Sequence, residues 1–158
     1  MSVNKYQPHV MVLPEDDANR QLANGFHLDI TIPRQMQVLP VAGGWPNLLN
    51  LFNSEHVTKM NLYRHRFMVL LIDFDGQSDR LYKAKAAIPD NMNERVFILG
   101  AWSEPESLRQ ALGVYESIGS AMAKDCREET DVTWGHNLLK HNAGELDRLL
   151  QRVRPILF

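Results

Sequence analysis

Phe67-Met68-Val69-Leu70-Leu71-Ile72 is an unbroken apolar run that stops abruptly at Asp73. A strand with water on one face alternates apolar and polar residues. A run apolar at every position suits a strand covered on both faces, as in the centre of a parallel sheet. Two further short apolar runs are compatible with the same sheet, His9–Leu13 and Val96–Leu99, and residues 35–41 read as a fourth strand. Between the strands lie segments with helical signals. Residues 16–26 open on acids and carry Gly25 near the end, residues 46–60 follow Gly43-Gly44 and begin at Pro46, and residues 77–87 stop before Pro89. Strands alternating with helices at this spacing predict an α/β fold, a Rossmann-like, mostly parallel sheet flanked by helices. From Pro105 the pattern turns helical. The last helix, about 137–153, places Leu139, Ala143, Leu146, Leu150 and Val153 on one stripe, and the terminal Pro155-Ile156-Leu157-Phe158 is expected to dock.

At 158 residues the chain is expected to form a single domain, an α/β core over 9–100 followed by a helical part over 105–158. The lone Cys126 leaves no internal disulfide and fits a reducing compartment. No apolar run approaches the roughly 20 residues of a membrane span, and the N-terminus lacks the apolar core of a signal peptide, so a cytoplasmic protein is expected. The net charge of −2 gives no general attraction for polyanions; a nucleic-acid partner would need a local basic patch or bridging metal ions.

Acids follow three of the expected strands. Glu15-Asp16-Asp17 follows the first, Asp73-Phe74-Asp75-Gly76 the third, and Glu104-Pro105-Glu106 the fourth. Ligands of open α/β sheets bind at the carboxyl ends of the strands, and carboxylates converging there suit Mg²⁺ or Mn²⁺. Each group also has a structural reading. Asp16 and Asp17 fit the cap and first turn of a helix. Asp75 could cap a helix starting near Gln77, although the period-two spacing of Asp73 and Asp75 would put both carboxylates on one side of an extended segment. Ser103-Glu104-Pro105-Glu106 has the form of a capping box, which would account for Glu106. Zinc, P-loop and dinucleotide signatures are missing, and neither Ser103 nor Cys126 has an evident paired base. Arg64-His65-Arg66 precedes the central strand, at the opposite end from the acids, and reads as solvated surface. Lys140, Arg148, Arg152 and Arg154 suggest a basic stripe diluted by Glu145 and Asp147.

The order strand–Glu–helix–strand–Gly-Gly–helix–strand–Asp-x-Asp–helix–strand resembles a Toprim domain, the metal-binding module of topoisomerases, bacterial primases, recombination-repair proteins and overcoming-lysogenization-defect nucleases. The resemblance covers residues 9–100. It implies that Glu15 is the glutamate after the first strand, that Asp73 and Asp75 are the Asp-x-Asp pair, and that Gly43-Gly44 is the family's glycine turn. Glu104 or Glu106 resembles the extra acid of the nuclease branch. The implied activity is Mg²⁺- or Mn²⁺-dependent hydrolysis at a phosphodiester, with Glu15, Asp73 and Asp75 catalytic, Asp16, Glu104 and Glu106 further metal ligands, and nucleic acid or another phosphate compound as substrate. No tyrosine-bearing or zinc-binding domain is recognised, which argues against complete topoisomerase or primase activity.

Val12-Leu13-Pro14-Glu15-Asp16-Asp17 also resembles the opening of a response-regulator receiver, with Asp73 or Asp75 as phosphoacceptor. The receiver's Ser or Thr after the fourth strand is replaced here by Gly100-Ala101-Trp102, and no Lys-Pro follows. A third reading is non-catalytic, a binding protein that uses its C-terminal helices for a homodimer or partner contact.

Overall fold

The computed structural model describes residues 3–158. A four-stranded, all-parallel sheet in the order β2-β1-β3-β4 forms its centre, from β1 (His9–Pro14), β2 (Met36–Val38), β3 (Arg66–Leu71) and β4 (Val96–Leu99). Helix α1 (Asp17–Leu28) joins β1 to β2. Helices α2 (Trp45–Leu51) and α3 (Val57–Leu62), linked by a π-helical turn at Phe52–His56, join β2 to β3, and α4 (Arg80–Ala86) leads on to β4. Three helices follow, α5 (Pro105–Leu112), α6 (Tyr115–Glu128) and α7 (Ala143–Leu157). The chain is thus α/β with a Rossmann-like layout. No helix among the described residues is long and apolar enough to cross a membrane.

Every residue of β1, β3 and β4 is buried. Because side chains alternate across a strand, these runs divide into two cores. Val10, Val12, Phe67, Val69, Leu71, Phe97 and Leu99 face α1, α6 and α7. Met11, Leu13, Met68, Leu70, Ile72 and Ile98 face Leu48, Phe52 and Met60 of the α2–α3 rod and Ala84 of α4. The C-terminal helices therefore complete one layer of the same sheet. The expected apolar stripe of the last helix is used inside the fold, since Leu146, Leu149, Val153 and Leu157 are buried on the first core.

Several boundaries differ from expectation. The strand expected over 35–41 is confined to Met36–Val38, followed by Pro40, which has no N–H to continue a ladder. The last helix begins at Ala143, after a turn at Lys140–Asn142, so Leu139 precedes it and Ala143 is exposed; it runs through Pro155 to Leu157. Phe158 packs edge-on against Phe26, and the Leu157 carbonyl accepts the N–H groups of Thr31 and Ile32, so the tail docks.

The outer edge of β4 is closed by side chains. Glu145 Oε2 accepts the Ile98 N–H (3.0 Å), Asn142 Oδ1 accepts the Gly100 N–H (3.0 Å), and Asn142 Nδ2 donates to the Gly100 carbonyl (2.9 Å). Lys85 and Arg148 balance the buried Glu145. Helices α1 and α6 cross in close contact at two glycines. A Cβ on Gly25 would lie 2.0 Å from the Glu116 carbonyl oxygen, and one on Gly119 would lie 2.0 Å from that of Leu22.

That crossing yields a paired test. Gly119→Ala should destabilise by about 1–3 kcal/mol or more, because backbone must move. Gly144→Ala, in open space on α7, should be neutral or stabilising by up to about 1 kcal/mol through helix propensity. Urea unfolding of both variants checks the contrast, and similar effects from the two would contradict the packing.

Candidate carboxylate site at the carboxyl ends of β1 and β3

Where β1 and β3 end, side by side in the middle of the sheet, the chain leaves two acids buried. Glu15 is 8% exposed and Asp73 is 7% exposed. Beyond the last ladder pair, Pro14 with Leu71, the Asp73 N–H lacks a strand partner, and Glu15 Oε2 accepts it at 2.6 Å. Asp16 caps α1 by accepting the Asn19 N–H at Oδ1 (3.0 Å), as its position predicts. The buried Asn19 amide then joins the two aspartates, with Nδ2 donating to Asp16 Oδ1 and to Asp73 Oδ1, both at 3.0 Å. Asn19 Oδ1 is buried without a partner. Gly43 and Gly44, at φ of 85° and 101°, direct both their N–H groups to the Glu15 carbonyl (2.9 and 3.1 Å). The glycine turn after β2 is thereby fastened beside the acids.

Arg80 is the cation closest to the group, and it is already engaged. Its Nη1 donates to the Asp73 carbonyl (2.7 Å) and to Asp75 Oδ2 (2.8 Å), and its guanidinium lies 4.7 Å from the centre of the Trp45 ring. The Asp73 carboxylate is left with an amide and two other acids. Burial pushes its pKa up from the usual 3.8 to about 8, and Asp16 and Glu15 add to the rise against the Asn19 hydrogen bond. Burial raises Glu15 as well, opposed by the Asp73 N–H.

The remaining expected site residues lie further out. Asp75 adopts left-handed backbone (φ 49°), as does Gly76 after it (φ 68°), so the extended geometry behind the same-side expectation ends at Asp75. Its side chain is about half exposed and pairs with Arg80. It does not cap a helix at Gln77, because α4 begins at Arg80 after Asp79. Glu104 and Glu106 are exposed on the first turn of α5. The capping box is not formed: Glu104 itself occupies the cap position, and no side chain bonds the free N–H groups. Pro105, at the first helical position, removes one of those donors. Burial raises the pKa of the Tyr115 hydroxyl, and Glu106, Asp16 and Asp73 add to the rise against Arg109.

Three participants escaped the sequence reading. Asn19 and Arg80 sit on helices where such residues ordinarily face solvent, and Tyr115 is far away in the chain. The spacing Asp16-x-x-Asn19 was the available signal for Asn19, since it puts the amide back over the cap residue. No protein family, curated protein or solved structure matches the chain.

Glu15, Asp16 and Asp73 offer oxygen donors with excess negative charge, the chemistry that suits a hard cation such as Mg²⁺ or Mn²⁺. Among the described residues, no group of three or more His, Cys, Asp or Glu side chains is placed so that it could hold a metal ion as it stands. The match is one of donor type, and the acids are tied together by the Asn19 amide and the Asp73 N–H.

The raised Asp73 makes stability depend on pH in a defined direction. Folded Asp73 holds its proton up to about pH 8, whereas unfolded Asp73 loses it near the ordinary 3.8. Between those values the folded chain binds more protons, so this residue's contribution falls as pH rises. In chelator-treated protein, the urea midpoint of the native chain relative to Asp73→Asn should decline from pH 5 to pH 8. A constant difference would show that Asp73 ionises normally.

Proposed function

We propose that the chain is a Toprim-like protein in which Glu15, Asp16 and Asp73 hold Mg²⁺ or Mn²⁺ for hydrolysis of a phosphodiester. The observation that carries this reading is the tie between acids at the ends of two central strands, Asp16 joined to Asp73 through Asn19 and Glu15 held on the Asp73 N–H, with burial as the main cause that raises Asp73 to about 8. Uncompensated carboxylates are costly to bury, and a bound cation would offset the cost. The position at the carboxyl ends of parallel strands, with a glycine turn against Glu15, agrees with the order of the Toprim motifs.

A bound ion would polarise the phosphoryl oxygens and supply an activated water. The protein's part is to hold the site in shape. The Asp73 N–H orients Glu15, Asn19 aligns Asp16 with Asp73, and Arg80 fixes the β3–α4 turn through the Asp73 carbonyl and Asp75. Cation binding would displace the proton that Asp73 holds, so affinity should increase with pH. Asp75 acts through Arg80 in this scheme, and Glu104 and Glu106, exposed at the start of α5, have no contact with the group.

The receiver reading is less well supported, because a phosphoacceptor must be approached by its phosphodonor and Asp73 is buried beneath Asn19 and Glu15. Asp75 is exposed, but it is engaged by Arg80.

Calorimetric titration with Mg²⁺ and Mn²⁺ tests the proposal. Micromolar-to-millimolar binding is expected for the native chain and should be lost in Asp73→Asn. Asp75→Asn should retain it within about fivefold, because a partly exposed ion pair is worth about 1 kcal/mol or less. Mn²⁺-dependent cleavage of single- and double-stranded DNA should follow the same ranking. A native chain that binds neither ion would sink the proposal.

A further inference from the structure

The opposite end of the sheet carries the reverse imbalance. Arg66, the first residue of β3, lies beside His9, the first of β1, and the two are paired in register. Arg66 is 3% exposed and His9 fully buried, contrary to the expectation that Arg64-His65-Arg66 is solvated surface. The reason is the direction of Arg66, which lies along the strand ends: its Nε donates to His9 Nε2 (3.0 Å), and its guanidinium lies 5.0 Å from the centre of the Tyr63 ring. His9 Nδ1 is 2.7 Å from the Gln7 carbonyl, so His9 is a neutral donor at that atom and an acceptor toward Arg66. Burial, with Arg66, His65 and Lys5 nearby, holds its pKa below the usual value.

No carboxylate balances this charge. Among the described residues Arg66 takes part in no ion pair, and its Nη groups, which find no protein acceptor, are not among the fully buried unpartnered atoms and so reach solvent. The surrounding groups are also basic. Lys5 Nζ lies 5.3 Å from the same Tyr63 ring, Arg64 and His65 are exposed alongside, and buried His56 in the π-helical turn is in electrical reach of Arg66. His56 Nδ1 is buried without a partner. The acid in reach of His56 is Glu55, which is exposed. Arg95 supplies no negative charge; its Nη1 holds the carbonyls of Met60, Tyr63, Arg64 and Arg66 and so fixes the loop that carries these cations.

A largely buried guanidinium without an anion is costly unless water or an anion takes its N–H groups. Its N–H fork matches a tetrahedral oxyanion in shape, and the exposed Lys5 against the same Tyr63 ring adds charge. We propose that Arg66, with Lys5, forms a binding site for a phosphate-class anion, either inorganic phosphate or the terminal phosphate of a small molecule. His9 positions the guanidinium. The site is separate from the carboxylate group, since a six-residue strand sets the two ends about 20 Å apart.

The test is thermal unfolding with increasing sodium phosphate, compared with sodium chloride at matched ionic strength and in the presence of chelator. The Tm of the native chain should rise with the logarithm of phosphate concentration and not with chloride. Adenosine monophosphate, added in place of phosphate, separates the two sources: a response at lower concentration assigns the site to a phosphomonoester, and a weaker one to free phosphate. Arg66→Met should fold in chloride, because it removes an uncompensated buried charge, and should lose at least about tenfold in phosphate affinity. Should it not fold, Lys5→Ala decides. This exposed change should leave the Tm in chloride unaltered and reduce the phosphate response severalfold. Equal responses of the native chain to phosphate and chloride, or an undiminished phosphate response in Lys5→Ala and any folded Arg66→Met, would overturn the proposal. Loss of metal binding in Asp73→Asn bears on the other site alone.

Discussion

A parallel sheet covered on both faces leaves its backbone no water to bond at the ends and edges of its strands. Every N–H that the ladder does not use must find another partner inside the protein. This chain meets the demand with long polar side chains. Glu15 takes the Asp73 N–H, Glu145 takes the Ile98 N–H, Asn142 takes that of Gly100, and Arg95 gathers four carbonyls before and at the start of β3. The placement of functional groups follows from that accounting. Glu15 is buried because a backbone donor needs it, and once buried it lies beside Asp73 and Asp16.

The buried charged groups differ in how their charge is handled. Glu145 has Lys85 and Arg148, and the buried Asp125 satisfies its oxygens with the N–H groups of Thr133 and Trp134 and the Thr130 hydroxyl. These are completed networks. Glu15 with Asp73 is incomplete, and so is Arg66, one at each end of the sheet. A fold that can balance Glu145 with two cations has the means to balance the others, and leaving them open lowers stability. Departures of this kind from internal consistency are characteristic of sites reserved for a ligand.

The core was legible in the chain because apolar runs report burial directly: β1, β3 and β4 lie where Val10, Val69 and Phe97 indicate, and Asp73 stands out as a charge at the end of such a run. What spacing could not supply was direction. Asp73 and Asp75 would share a side if the strand continued, but a left-handed Asp75 ends it and turns that carboxylate to Arg80. Arg66 looks solvated beside Arg64 and His65, yet it lies within the fold because His9 of the neighbouring strand offers an acceptor. Asn19 and Arg80 acquire their places through contacts with distant segments, with Asp73 and with Trp45 respectively, which local sequence does not contain. The C-terminal stripe was real, but periodicity does not name its partner; that partner is the chain's own sheet.

Edge closure also limits how two copies could associate. An open strand edge is the usual route to pairing sheets. At β4 alternate N–H groups, those of Ile98 and Gly100, are occupied by Glu145 and Asn142, so side chains of α7 and the turn before it stand where a fifth strand would otherwise pair. At the other edge β2 is three residues long, too short to template a stable ladder by itself. With the α7 stripe buried, neither the sheet edges nor the apolar face of the last helix is free for a partner. What the fold leaves unbalanced in its interior is charge, acids at the carboxyl ends of the central strands and a largely buried arginine at their amino ends.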